Sequence, residues 1–558
     1  MGISRVLGFL AIGIAIPFAK GQGSLAKQYG DLRDKGYEAQ GKGQPDEALK
    51  FFKGALDLYG EDGQVWLSYA QVASKTRQFD EGLKAIDKVL ELGGFGATVR
   101  ANAYFEAACI YAQKSDRINA WQNLDLAMAS GFRSLPQLIS EPRLELLHID
   151  SKWGVVTATK DVTKMSRTEG RRYDLWLLDR ELRRIHYAPY KYVSEKDRTE
   201  MVRKINAGIP AWSDEKILVE MMRYVTSFGD GHTRLSVPKI SRPRLQFFLF
   251  SDGIYVLAGH QDHRDLIGKR LVEVEGRPVE SLFPLVEPLI SRDNSQGVKS
   301  LTPNYVTNPV ILRGLGIAVG PEKINLTFRS DDGKNEKIAV PYSTDFLPKP
   351  DWAVMPHNSE ILALKNRSTN YWFEYLPEQK AMYFQYNAIA NMAEESVAKF
   401  TQRLFREIDD RKVEKLIVDV RWNGGGNTFL SQPIILGILE RTKLSHNGGL
   451  YVIIGRNTFS GAQNFTTDLS RSAEAIFVGE PTGSRPNFVG ESNPFLLPFS
   501  KTAGTISDLY WQRSWPMDDR MWIAPDLPAP PSIKAFMAGR DPAMEAILEN
   551  LKSLGSLR

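Results

Sequence analysis

The sequence is short of the residues on which much metal and redox chemistry depends. Of 558 residues one is cysteine, Cys109, and seven are histidine. A single thiol forms no intramolecular disulfide and lacks the partners of a structural zinc site, so cysteine chemistry contributes nothing to the fold. No HExxH helix occurs, and the glycine-rich "NGGGN" at 423–427 has neither the GK[ST] ending of a phosphate loop nor the GxGxxG spacing, so no cofactor and no metal are expected. Charge is nearly balanced, 71 basic against 66 acidic residues for a net +5, with no run of five like charges, and nucleic acid is not an expected partner. Long apolar runs are missing too. The stretch Val6 to Phe18 falls short of the roughly 20 residues that span a bilayer. With Arg5 ahead of it and the small residues Ala19 and Gly21 behind, it has the order of a signal peptide, with cleavage expected near Gly21. Export to a periplasm, a cell surface or the medium suits a chain with one cysteine.

What is present is a globular composition, 42% hydrophobic, on a chain long enough for two to four domains at a prior of about 150 residues each. Residues 22–161 read as helices throughout. In "GQPDEALKFFKGALDLYGEDG" and "RQFDEGLKAIDKVLELGGFG" an acidic pair precedes an apolar stripe, with Ala48 and Gly82 at matching places 34 residues apart and Ala120 in a third copy. These small packing positions resemble tetratricopeptide repeats, which stack into a solenoid with a concave groove for a protein partner. Helices continue through 162–240 ("YDLWLLDRELRRIHYA", "DEKILVEMMRYVTSF") and stop at "GDGHTRL". From 241 to 345 short alternating strands and glycine turns follow, and "LIGKRLVEVEGRPV" resembles a PDZ-type module, a peptide-binding β domain. Residues 346–558 then alternate strand and helix: "VEKLIVDVRW", "FLSQPIILGILERT", "LYVII", "GAQNFTTDLSRS", "AIFVGEP". Apolar strands alternating with helices predict an α/β sheet covered on both faces, with functional groups beyond the carboxyl ends of its strands.

At one such end stands Ser460. Ala462, Phe465 and Leu469 fall on one helical face, so the helix begins at or just after the serine. Its first N–H groups have no internal partner, and the helix dipole favours negative charge beside them. A serine here can attack a carbonyl while a neighbouring N–H binds the developing oxyanion, and it can equally serve as a plain N-cap.

The ordered set "GDGHT", "LIVDVRWNGGG", "TFSGAQNF", "VGEPTGSRPNFVG" and "IAPDLP", with the PDZ-like stretch inserted, resembles the tail-specific, or C-terminal-processing, serine peptidases, including their tricorn-like branch. The resemblance covers roughly 173–551 and implies a crotonase/ClpP-like α/β core. It implies Ser460 as nucleophile and Gly425 and Gly461 as oxyanion donors. Bacterial tail-specific members use a lysine 25 residues after the serine, but Arg485 stands there and cannot lose its proton near neutral pH. The tricorn-like branch uses a histidine just before its PDZ-like segment, which is His232 here, although Gly231 replaces that branch's serine. Asp519 is the position implied for the acid that orients the imidazole, with Asp518, Glu480 and Asp230 as rivals. The expected activity is hydrolysis of peptide bonds in protein tails or oligopeptides. The alternative is a catalytically silent scaffold that binds peptides or proteins.

Overall fold

A computed structural model describes residues 22–92, 97–132, 134–237, 242–330, 332–343, 352–354, 361–446 and 448–556, so the expected signal peptide lies outside the described residues. The chain forms two compact units, Met1–Asp161 and Val162–Arg558.

The first unit is helical. Gln22–Gly41 packs on Pro45–Leu58, Gly63–Lys75 on Phe79–Leu92, and Ala97–Gln113 on Arg117–Ala129. The acidic pairs Asp46, Glu47 and Asp80, Glu81 fall in first turns, where the helix dipole favours them. Asp62 and Asp116 cap the helices that follow by accepting backbone N–H bonds. Ala48, Gly82 and Ala120 are buried where helices meet. A Cβ on Gly82 would come within 2.9 Å of Ile110 Cδ1, which explains the small residue.

In the second unit the helices Arg167–Ile185, Glu195–Gly208 and Asp214–Thr226 do not stand apart from the β module, as separate segments at 162–240 and 241–345 would. Leu178, Leu218 and Val225 share one apolar cluster with Ile254, Leu271, Leu326 and Val340 of its strands. The module is an antiparallel sheet in the order Arg242–Pro243, Asn335–Ser343, Lys323–Arg329, Arg270–Val274, Gly253–His260, Leu245–Phe250.

The expected α/β sheet is present. Tyr371–Leu376 pairs antiparallel with Ala381–Tyr386, and then Lys415–Asp419, Leu450–Ile454, Ala475–Gly479 and Leu527–Pro528 follow in parallel. Its central strands are buried on both faces, and successive residues alternate between two clusters. Leu416, Val418, Val452 and Ile454 pack on Phe400, Leu404, Ile438 and Phe465 of the helices on one side. Ile417, Tyr451 and Ile453 pack on Ala543, Met544 and Ile547 of helix Pro542–Ser556 on the other. The carboxyl ends of Lys415–Asp419 and Leu450–Ile454 carry the 423–427 turn and Ser460.

A third sheet was not anticipated from the pattern. Asn487–Leu496 and Ala503–Gln512 form a long antiparallel hairpin, and Arg234–Leu235 pairs with its second strand, Arg234 opposite Thr505. This sheet fixes the backbone next to His232.

Candidate active site

The nucleophile candidate is set by backbone. Ser460 has φ 53° and ψ −124°, a left-handed conformation for a residue with a side chain, and helix Gly461–Ser472 starts immediately after it. Such a conformation costs on the order of 1–3 kcal/mol and persists only where the surroundings impose it. The Ser460 side chain makes no capping bond, so the plain N-cap reading fails. Its backbone is held instead, the N–H donating to Ser484 Oγ at 3.4 Å and the carbonyl accepting from Asn464 N–H at 3.1 Å.

The glycine turn presses against this joint. A Cβ on Gly425, where φ is 110°, would sit 2.7 Å from both Gly461 N and Ser460 Cβ. One on Gly461 would sit 2.7 Å from the Gly426 carbonyl oxygen. Only glycine permits this approach. Buried Asn423 pins the turn: its Nδ2 donates to the Tyr386 carbonyl at 2.8 Å, its own carbonyl accepts from Phe459 N–H at 3.1 Å, and its Oδ1 accepts the Gly425 N–H at 2.9 Å. That last bond corrects one expectation. The Gly425 N–H is already engaged, whereas those of Gly426 and Gly461 have no hydrogen-bond partner among the described residues.

His232 comes to the same place from the other end of the fold. Its backbone is fixed by Asp230 Oδ1, which accepts the N–H groups of His232 and Thr233 at 2.8 and 2.6 Å, and by Thr505 Oγ1, which donates to its carbonyl at 2.6 Å. The imidazole stacks between Phe459, the neighbour of Ser460, at 4.5 Å and Phe488 of the hairpin at 5.5 Å. It is 7% exposed, and neither ring nitrogen has a hydrogen-bond partner among the described residues, Ser460 Oγ included. Burial, reinforced by Arg234 and opposed by Asp230, depresses its pKa to about 4, so the ring is neutral at physiological pH. Gly231, the departure from the tricorn-like pattern, has a steric cause: a Cβ there would lie 2.8 Å from the Phe459 ring.

Asp519 does not orient this imidazole. It is exposed and no bond joins it to His232; it lines a cavity of about 320 Å³ with Asp230, Asp293, Arg485 and Phe488. Two of its rivals are committed elsewhere, Glu480 to Arg456 at 2.5 Å and Asp518 to Arg520 at 2.7 Å. The third, Asp230, is built into the His232 turn. Burial would raise its pKa, but His186 Nε2 at 2.9 Å and the backbone donors outweigh this and hold the carboxyl below its ordinary range. His186 Nδ1 accepts the Ala188 N–H, which leaves its proton on Nε2, facing Asp230.

Two residues of this site carried no motif. His186 reads as an ordinary helix-end histidine and is instead buried against Asp230. Asp293 is also buried. Its Oδ1 accepts the Gly231 N–H at 2.8 Å, and its Oδ2 is buried with no hydrogen-bond partner among the described residues. Burial drives its pKa up to about 7 against the pull of Ser484, and Asp230 adds to the rise. Arg485, at the lysine position of the bacterial members, donates from Nε to the Asp293 carbonyl at 3.1 Å, a supporting contact.

No family model matches the chain, and no curated protein matches it in sequence. Among solved structures it is similar to mature CPAF complexed with lactacystin, with 13% identity and a TM-score of 0.51 over 70% of this chain and 99% of that one. A photosystem II D1 C-terminal processing protease matches at 12% identity and a TM-score of 0.35, over 68% of this chain and 97% of that one. The first likeness establishes a shared fold for the region it covers.

Proposed function

We propose that the chain is an exported serine peptidase of the tail-specific family, tricorn-like branch, hydrolysing peptide bonds in protein tails or oligopeptides. The observation that carries this reading is Ser460, a strained serine whose hydroxyl caps nothing, on the first turn of a helix against a glycine turn that leaves two N–H groups free. Ser460 Oγ attacks the scissile carbonyl and gives its proton to His232. The N–H groups of Gly461 and Gly426 hold the oxyanion. His232 returns the proton to the leaving amine, and water then releases the acyl group by the same route. Ionised Asp230 stabilises the imidazolium through space. To reach Ser460 Oγ the ring must leave its stack between Phe459 and Phe488, as apo catalytic bonds often tighten only with substrate. The helical pairs serve as tetratricopeptide-like repeats that recruit a protein partner, and the β module serves as a PDZ-like peptide site.

The silent-scaffold reading is favoured by one observation, the missing Ser460–His232 bond. A fluorophosphonate probe separates the two. The peptidase reading expects an adduct on Ser460 that Ser460→Ala abolishes and His232→Ala slows by about 100-fold or more. Asp230→Asn is expected to slow it more than Asp519→Asn. Failure of the native protein to react, alongside a peptide-binding signal, establishes the scaffold instead.

A further inference from the structure

A cavity of about 100 Å³, lined by Arg421 and Trp422 just before the glycine turn, is not used by the proposed chemistry. Its apolar walls are Phe248 and Phe250 of strand Leu245–Phe250, Leu257 of strand Gly253–His260, and Phe536. Three of the polar residues that line it carry an unsatisfied atom. Arg421 donates from Nε to Asp419 Oδ1 at 3.0 Å and from Nη1 to Asp541 Oδ1 at 2.8 Å, which leaves Nη2 buried without a partner among the described residues. Asp541, with its side chain 8% exposed, has Oδ2 buried without a partner among the described residues, and so is the Nε1 of Trp422. Two donors and one acceptor on the lining are therefore unsatisfied, a costly arrangement that a matching ligand relieves.

The charges select the ligand. Asp419 and Asp541 both pair with Arg421, so that with Arg367, which lies over the Trp422 ring at 4.3 Å, the four formal charges cancel, and Arg540 is paired with Glu545. An ionic head group would have to shed water with no net counter-charge to receive it. A neutral amide does not. We infer that this cavity binds a carboxamide bearing one apolar side chain, its carbonyl accepting from Trp422 Nε1 and Arg421 Nη2, its N–H donating to Asp541 Oδ2, and its side chain among the phenyl rings. The volume suits one aliphatic side chain, or about three waters at roughly 30 Å³ each. The site stands whether or not Ser460 is a nucleophile.

The test titrates N-acetyl-leucinamide into the full chain by calorimetry, beside N-acetyl-leucine at neutral pH. Saturable binding of the amide is expected, with the acid at least tenfold weaker. Trp422→Phe, which keeps the ring and removes the donor, should weaken the amide about fivefold. Ala258→Leu, on the wall of the cavity, should abolish binding; if that variant does not fold, Trp422→Phe decides alone. No saturation at millimolar amide, an acid bound as tightly as the amide, or a Trp422→Phe protein that binds like the native one overturns the inference. A capped pentapeptide with a central leucine identifies the source. Tighter binding than the small amide assigns the site to a chain segment, and weaker binding to a free small amide.

Discussion

His232 and Asp293 are displaced from their ordinary protonation in opposite senses, and the signs of the consequences differ. His232 is neutral in the fold down to about pH 4, whereas in the unfolded chain it takes a proton near 6.5. Its contribution to stability is intact above pH 6.5 and is lost as the pH falls toward 4. Asp293 stays protonated up to about pH 7, while the unfolded carboxyl ionises near 3.8. Its contribution is intact below 3.8 and is lost as the pH rises toward 7, at most about 4 kcal/mol for a shift of this size. Asp293→Asn, which keeps an acceptor for the Gly231 N–H, should therefore raise the melting temperature relative to the native protein more at pH 8 than at pH 4. An equal change at both values removes the assignment. The rate at which the fluorophosphonate probe phosphonylates Ser460, with loss of fluoride, should hold down to about pH 4, where an unperturbed imidazole would lose it near 6.5. The joint at Ser460 was legible in the sequence because the apolar spacing of Ala462, Phe465 and Leu469 marks where the helix starts, whereas His232 and Gly461 entered as candidates through the resemblance of their motifs to a known family. Asp293 was not, since "SRDNSQ" reads as a solvated turn and only tertiary packing buries it.

At the scale of elements, the site is a joint between two turns that must nearly touch. Gly425 and Gly461 meet edge to edge, and a methyl group at 425 would press on the amide and the Cβ beside it. Gly425→Ala should reduce the rate of Ser460 phosphonylation by the fluorophosphonate probe by about 100-fold or more, as expected for loss of an oxyanion donor's geometry, while far-UV circular dichroism remains native. A variant that reacts normally shows that the turn has no part in the chemistry. The parallel strands were readable because both faces are buried and the apolar runs are continuous. The hairpin of Asn487–Leu496 and Ala503–Gln512 was not, because its strands mix buried and exposed residues irregularly and one contains Pro494. Its position comes from distant contacts. Buried Asp174, on helix Arg167–Ile185, accepts the N–H groups of Phe499 and Ser500 at 3.0 and 2.8 Å and anchors the tip, and the two strands then supply Phe488, Thr505 and Ser507 to the histidine turn.

At the scale of the whole molecule, the two halves of the site grow from different cores. The histidine turn follows helix Asp214–Thr226, whose apolar face is shared with the β module, and Ser460 lies between strand Leu450–Ile454, buried in the α/β sheet, and helix Gly461–Ser472. A small shift of one core against the other changes the distance between hydroxyl and imidazole without breaking either. None of these cores draws on the first unit: the two apolar clusters of residues 39–153 contain no residue beyond Trp153, and those of the second unit none before Leu175. Each unit therefore holds its own buried surface, the condition for folding alone. A chain reduced to 162–558 should give a cooperative melt and be phosphonylated at Ser460 by the fluorophosphonate probe within about twofold of the full-length rate, since every contact described around the site survives. Turnover of a folded protein substrate should fall further than the small-probe rate if the first unit forms the proposed repeat groove, which would act on recruitment rather than on the bond being broken. Equal losses for both readouts place the first unit in the chemistry itself, and no loss for either removes it from substrate capture.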